Sequence, residues 1–109
     1  VAEAIAGDKI PCTGIVVYSD VLALEIWYLL KQAGKRVPED YSIVGFDNIY
    51  ARSYAPYLVT SVGTTESLAA KAVDMLTSLI RRRRGEDIEI ETEKVLDVKL
   101  VAGDSSRRL

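Results

Sequence analysis

Two periodicities alternate along the chain. Residues 13–18 (TGIVVY), 41–46 (YSIVGF) and 58–62 (LVTSV) are short, apolar and rich in β-branched side chains, the pattern of buried strands. Residues 21–33 carry apolar side chains at helical spacing (Leu22, Ile26, Leu29, Leu30) and stop at Gly34, with Lys31, Lys35 and Arg36 suited to the negative end of a helix. A second, longer amphipathic run opens near Thr64, Thr65 and Glu66 and reaches Arg83, with Leu68, Ala72, Val73, Leu76, Leu79 and Ile80 on one face. Residues 1–7 read as the end of a helix closed by Gly7, residues 88–90 and 95–101 as one or two further strands, and residues 104–109 as a polar tail. Strand, helix, strand, strand, helix, strand predicts an α/β fold with a mainly parallel sheet flanked by helices.

Parallel strands joined by a helix release their carboxyl ends on the same edge of the sheet. Two polar pairs stand at such ends, Ser19-Asp20 after the first strand and Asp47-Asn48 after the second. Open α/β sheets bind ligands in the crevice at that edge, so these four residues are the candidate contacts for a small polar ligand. Each has a purely structural alternative. Asp20, helped by Ser19, suits the N-cap of the following helix, and Asp47-Asn48 suits a turn. Tyr41, Tyr50, Tyr54, Tyr57 and Trp27 fit a core, a cleft rim or a subunit interface.

Composition narrows the chemistry. The chain has 109 residues, enough for one core, and contains no histidine and one cysteine, Cys12. That removes Ser-His-Asp and Cys-His catalysis and any internal disulfide, makes a zinc site improbable, and fits a reducing cytoplasm. No glycine-rich phosphate loop occurs, and no apolar run is long enough to cross a membrane. A net charge of −2 argues against a nucleic-acid-binding surface, and the run Arg81, Arg82, Arg83, Arg84 reads as a solvated helix end. The chain starts at Val1 and its only methionine is Met75, so a preceding segment is expected.

Residues 37–48 read VPEDYSIVGFDN, which resembles the VPED-x-S-V-V-G-F/Y-D-D/N motif of the LacI/GalR family of transcription regulators. Residues 11–24 (PCTGIVVYSDVLAL) resemble the family's P-T-A-x-x-x-x-N-D segment, residues 59–70 (VTSVGTTESLAA) its L-T-[TS]-V segment, and residues 100–106 its L-V-x-R-x-S-T ending. The resemblance implies the type I periplasmic-binding-protein-like fold, of which residues 1–109 would be part of the C-terminal subdomain, without the N-terminal subdomain or the DNA-binding headpiece. It further implies a repressor-type regulator that binds a small effector, a sugar or nucleoside-like metabolite, and controls operator DNA allosterically as a cytoplasmic homodimer. No catalysis, cofactor or membrane is implied. Asp47 matches the family's effector-binding aspartate, Asp20 its N-D aspartate, and Ser19 stands where the family usually carries Asn. Val21, Leu24, Tyr28 and Tyr54 match its dimer-forming surface. Two alternatives remain beside this reading. One is a periplasmic sugar-binding protein of the same fold. The other is an enzyme holding Mg²⁺ between Asp20 and Asp47, since magnesium favours carboxylate oxygens.

Overall fold

A computed structural model describes residues 2–7, 9, 11–49, 57–64 and 66–108. It divides into two compact units, Val1–Gly63 with Lys99–Leu109, and Thr64–Val98. The first contains helix α1 (Ala2–Ala6), strand β1 (Gly14–Val16), helix α2 (Asp20–Gln32), and strands β2 (Ser42–Phe46), β3 (Thr60–Gly63) and β4 (Lys99–Val101). The second contains helix α3 (Leu68–Arg83).

The sheet runs in the order β1-β2-β3-β4. The first three strands are parallel and β4 is antiparallel to β3, which agrees with the mainly parallel sheet expected from the pattern. Helix α2 lays one stripe on it, Asp20, Ala23, Trp27 and Leu30, spaced three, four and three residues apart as one helical face requires. Opposite that stripe stand Ile43 and the close-packed Gly45 of β2, with Val17, Tyr41, Val59 and Ile5 completing the core. Leu30 and Ile43 have no exposed surface, and full burial of such a side chain contributes about 1.5–3 kcal/mol.

Several boundaries differ from the sequence expectation. Helix α2 is capped by Ser19, whose Oγ accepts from Leu22 N, and Asp20 is its first residue rather than its cap. Helix α3 is capped by Ser67, not by Thr64 or Thr65, and its apolar stripe is exposed at Leu68, Val73, Leu76, Leu79 and Ile80. Residues 88–90 and 95–98 form no strand, because alternation gives a strand only where a partner edge is available; residues 99–101 find one on β3. The first two strands are not buried on both faces either: Val16 and Phe46 are exposed, while the buried stripe of α2 covers the side of Ile43 and Gly45.

Residues 103–106 are not a loose tail. Ser105 is completely buried between the starts of β2 and β3. Its carbonyl accepts from Ile43 N (2.7 Å), while its Oγ accepts from Thr60 N (2.8 Å) and donates to Ile43 O (2.6 Å). Ser106 Oγ donates to Thr60 Oγ1 (2.8 Å), which also accepts from Gly103 N (3.0 Å). These bonds satisfy backbone groups at the strand starts that burial would otherwise leave unpaired.

Candidate functional site at the carboxyl edge of the sheet

The last register pair of β1 and β2 is Val16 with Val44, and Val17 N donates to Val44 O across them (2.8 Å). Counting on three residues brings Ser19 level with Asp47, on strands that neighbour each other at about 4.8 Å. Both polar pairs therefore leave the sheet on one edge.

Asp47 and Asn48 have positive φ, 91° and 52°, a conformation that costs non-glycine residues energy and that Asp and Asn tolerate best. Three consecutive backbone N–H groups hold it. Asp47 N donates to Val62 O (2.9 Å), Asn48 N to Ser61 Oγ (3.0 Å), and Ile49 N to Asp20 Oδ2 (2.9 Å). The turn lies so close to β3 that a Cβ on Gly63 would fall 2.6 Å from Asn48 Cβ and 2.8 Å from the Asp47 carbonyl carbon, so only glycine fits there. With its backbone tied inward, Asp47 presents an exposed carboxylate that makes no hydrogen bond among the described residues.

Asp20 has a different place from the one its sequence position suggests. Its side chain is 1% exposed, and Oδ1 lies against Gly45, where a Cβ would collide with it. One carboxylate oxygen thus clamps the turn after Asp47, and the other packs on the sheet. Oδ1 of Asp20 and Oδ1 of Asn48 are buried and accept no hydrogen bond among the described residues. Ser19 is half-buried, and among the described residues its hydroxyl accepts only the long 3.4 Å cap bond.

The four candidate residues thus share one edge but sort by exposure. Asp47 and Ser19 reach the surface, and Asp20 and the amide oxygen of Asn48 face inward. Sequence reasoning passed over Ser61, whose hydroxyl fixes the Asn48 backbone; the signal was a serine inside an apolar strand, where a hydroxyl needs a partner. Among the described residues no three His, Cys, Asp or Glu side chains gather as metal ligands, and no helix is long and apolar enough to cross a membrane. A cavity of about 260 Å³ lies at the opposite end of α2, away from this edge.

On the α2 surface, Val21 and Tyr28 are exposed and Leu24 is half-buried, on one helical face at intervals of three and four. Tyr54, which the resemblance places on the same surface, lies outside the described residues.

A family model described as a periplasmic binding protein-like domain matches residues 2–106, and curated relatives carry the name "HTH-type transcriptional repressor PurR". The relative from Glaesserella parasuis is 35% identical over 94% of this chain and 31% of its own length; the one from Pasteurella multocida is 38% identical over 89% of this chain and 29% of its own. The chain belongs to the periplasmic binding protein-like family, among its LacI/GalR members. A LacI family transcriptional regulator from Enterococcus faecium, solved with bound ribose, superposes with a TM-score of 0.75 at 29% identity, over 99% of this chain and 40% of the other. The resemblance read from residues 37–48 is borne out, and so is the α/β, mainly parallel fold. This LacI/GalR chain spans about a third of the curated relatives' length.

Proposed function

We propose that this chain is the effector-sensing part of a DNA-binding repressor, in which a small polar metabolite lodges at the carboxyl edge of the sheet against Asp47 and Ser19. The observation that carries the reading is the turn at Asp47-Asn48. Three hydrogen bonds and a glycine seat hold a left-handed backbone whose product is one exposed carboxylate at a strand end. A carboxylate so fixed accepts charge-assisted hydrogen bonds from sugar hydroxyls or a heterocyclic N–H, and the Ser19 hydroxyl both donates and accepts. Asp20 and Asn48 keep that edge in shape, as positioning residues. The ribose in the Enterococcus faecium regulator favours a sugar-like or nucleoside-like effector.

The whole protein acts by binding alone. The effector prefers one arrangement of the two subdomains, because a ligand with equal affinity for both shifts nothing. A homodimer through the α2 face of Val21, Leu24 and Tyr28, with Tyr54, passes that preference to headpieces on paired operator half-sites in the cytoplasm. The names of the curated relatives support repression.

The test is Asp47→Asn in the whole protein, titrated calorimetrically with pentoses, hexoses, nucleosides and purine bases. Asparagine tolerates the left-handed turn as aspartate does, so the change removes charge and leaves the backbone. Losing a charged hydrogen bond of about 1.5–3 kcal/mol weakens the effector that binds wild type by roughly 10- to 150-fold. Unchanged affinity would place the effector elsewhere.

A further inference from the structure

Three buried polar groups beneath the Asp47 turn have bonding capacity that no described residue meets. Asp20 Oδ1 and Asn48 Oδ1 are buried and accept no hydrogen bond. Ser61, like Asp20, is 1% exposed. Its Oγ accepts from Asn48 N at 3.0 Å, and its hydroxyl hydrogen reaches no acceptor among the described residues. Burial makes unmet donors and acceptors costly, and folded proteins keep few of them.

The fold brings the three groups to one corner. Gly45 and Ser61 are register partners on β2 and β3, so their Cα atoms are about 4.8 Å apart and their Cβ directions share a face of the sheet. Asp20 Oδ1 lies where a Cβ on Gly45 would collide with it, and Ser61 Oγ projects from the same face beside it. Gly63, two residues on from Ser61, shares that face too, and its Cβ position is 2.6 Å from Asn48 Cβ. The Asn48 and Ile49 N–H groups close the corner, one on Ser61 Oγ and the other on Asp20 Oδ2. Ser61 Oγ and Asp20 Oδ1 make no direct bond. Two hydrogen bonds of about 2.8 Å through one water hold their end atoms about 4.5 Å apart, which suits the strand spacing.

The hydrogens match as well. A water molecule has two for the two Oδ1 atoms and a lone pair for the Ser61 hydroxyl, and about three bonds is usual for a buried water. An ammonium group has no lone pair for that hydroxyl, and magnesium or calcium takes six or more oxygens.

We propose that one water molecule is a bound ligand of this corner, hydrogen-bonded to Asp20 Oδ1, Asn48 Oδ1 and Ser61 Oγ. It ties the first turn of α2, strand β3 and the left-handed turn to one another, and so is part of what holds the Asp47 carboxylate in place. The water site stands whether or not an effector binds at Asp47; only its bearing on effector binding rests on that reading.

The test is a crystal structure of the 109-residue chain that resolves ordered waters, with oxygen-17 relaxation dispersion in solution, which counts waters held inside a protein. The expected result is one density peak about 2.7–3.0 Å from all three oxygens. In solution, Asn48→Gly lowers the count of long-lived waters by one per chain. Glycine accepts the φ of 52° at residue 48 and keeps the backbone N–H, so the variant removes one partner and the cover over the water while leaving the turn. A corner without such a peak overturns the proposal. Asn48 Nδ2 bonded directly to Asp20 Oδ1 does the same, because that contact needs no water. A peak with six oxygens at about 2.0–2.6 Å is a metal ion and also overturns it. So do equal water counts in the wild type and a folded Asn48→Gly. The wild-type crystal structure decides the matter even where that variant is unfolded.

Discussion

Replacing Ser105 by alanine removes one oxygen and two buried hydrogen bonds. Thr60 N has a single hydrogen, given to Ser105 Oγ at 2.8 Å, and Ile43 O receives the Ser105 hydroxyl hydrogen at 2.6 Å. Ser105, Thr60 and Ile43 are all buried, so water cannot replace the lost partner. An orphaned buried donor costs about 1–3 kcal/mol, and the lost bond to the carbonyl, which keeps a second lone pair, about 1 kcal/mol. Ser105→Ala is therefore expected to destabilise the first unit by about 2–4 kcal/mol, a large part of the 5–15 kcal/mol typical of a whole domain. The backbone bond from Ile43 N to Ser105 O survives the change, which keeps the loss below that of deleting the segment. Urea unfolding followed by Trp27 fluorescence reports on this unit, and the midpoint falls by roughly 1–3 M with an unchanged slope. Ser106→Ala is the internal comparison. It loses only the half-buried bond to Thr60 Oγ1 and costs about 0.5–1.5 kcal/mol. A Ser105→Ala protein within about 0.5 kcal/mol of wild type, or less affected than Ser106→Ala, would refute the account of the chain end as part of the core.

Gly63→Ala forces its Cβ into the Asp47-Asn48 turn and is expected to cost about 1–3 kcal/mol while shifting the Asp47 and Asn48 amide resonances; a variant with wild-type stability and unmoved signals contradicts the close seat. Hydrogen bonds from the Arg36 guanidinium, then from its backbone N–H, hold the Asp40 carboxyl at about 2, below its ordinary 3.8. A carboxyl lowered on folding stabilises above its unfolded value and loses that contribution as pH falls through the folded one. Asp40→Asn should thus be less stable than wild type near neutral pH, with the gap closing as pH approaches 2, and a gap that is the same at both ends of unfolding titrations counts against the pairing. The exposed α3 stripe should drive concentration-dependent self-association seen by light scattering, which Leu76→Lys reduces; a monomer at all concentrations for the wild type is the opposing result.

Much of the architecture was legible because its causes are local. Helical and strand periods, the glycine stop at Gly34, and the rule that a helix returns the chain to a parallel strand together put Ser19-Asp20 and Asp47-Asn48 on one edge. The roles within that group were not legible. Ser19 and Asp20 are both competent caps, and the choice fell to Ser19 because the carboxylate of Asp20 meets the backbone N–H of Ile49, 29 residues away.

Local order, spacing and residue type therefore carried the α/β pattern, the family and the placing of both polar pairs on one edge, since each depends on neighbours a few positions apart. Three features needed the folded chain. Ser105 closes the starts of β2 and β3 through partners 62 and 45 residues away in sequence. Residues 88–90 have the alternation of a strand and no partner edge, while residues 99–101 pair with β3. The Asp47 turn is held left-handed by Val62, Ser61 and Asp20, and it packs into the space that a side chain on Gly63 would take. A hydrogen bond or a steric gap belongs to two segments at once, so a pattern along one segment cannot specify it.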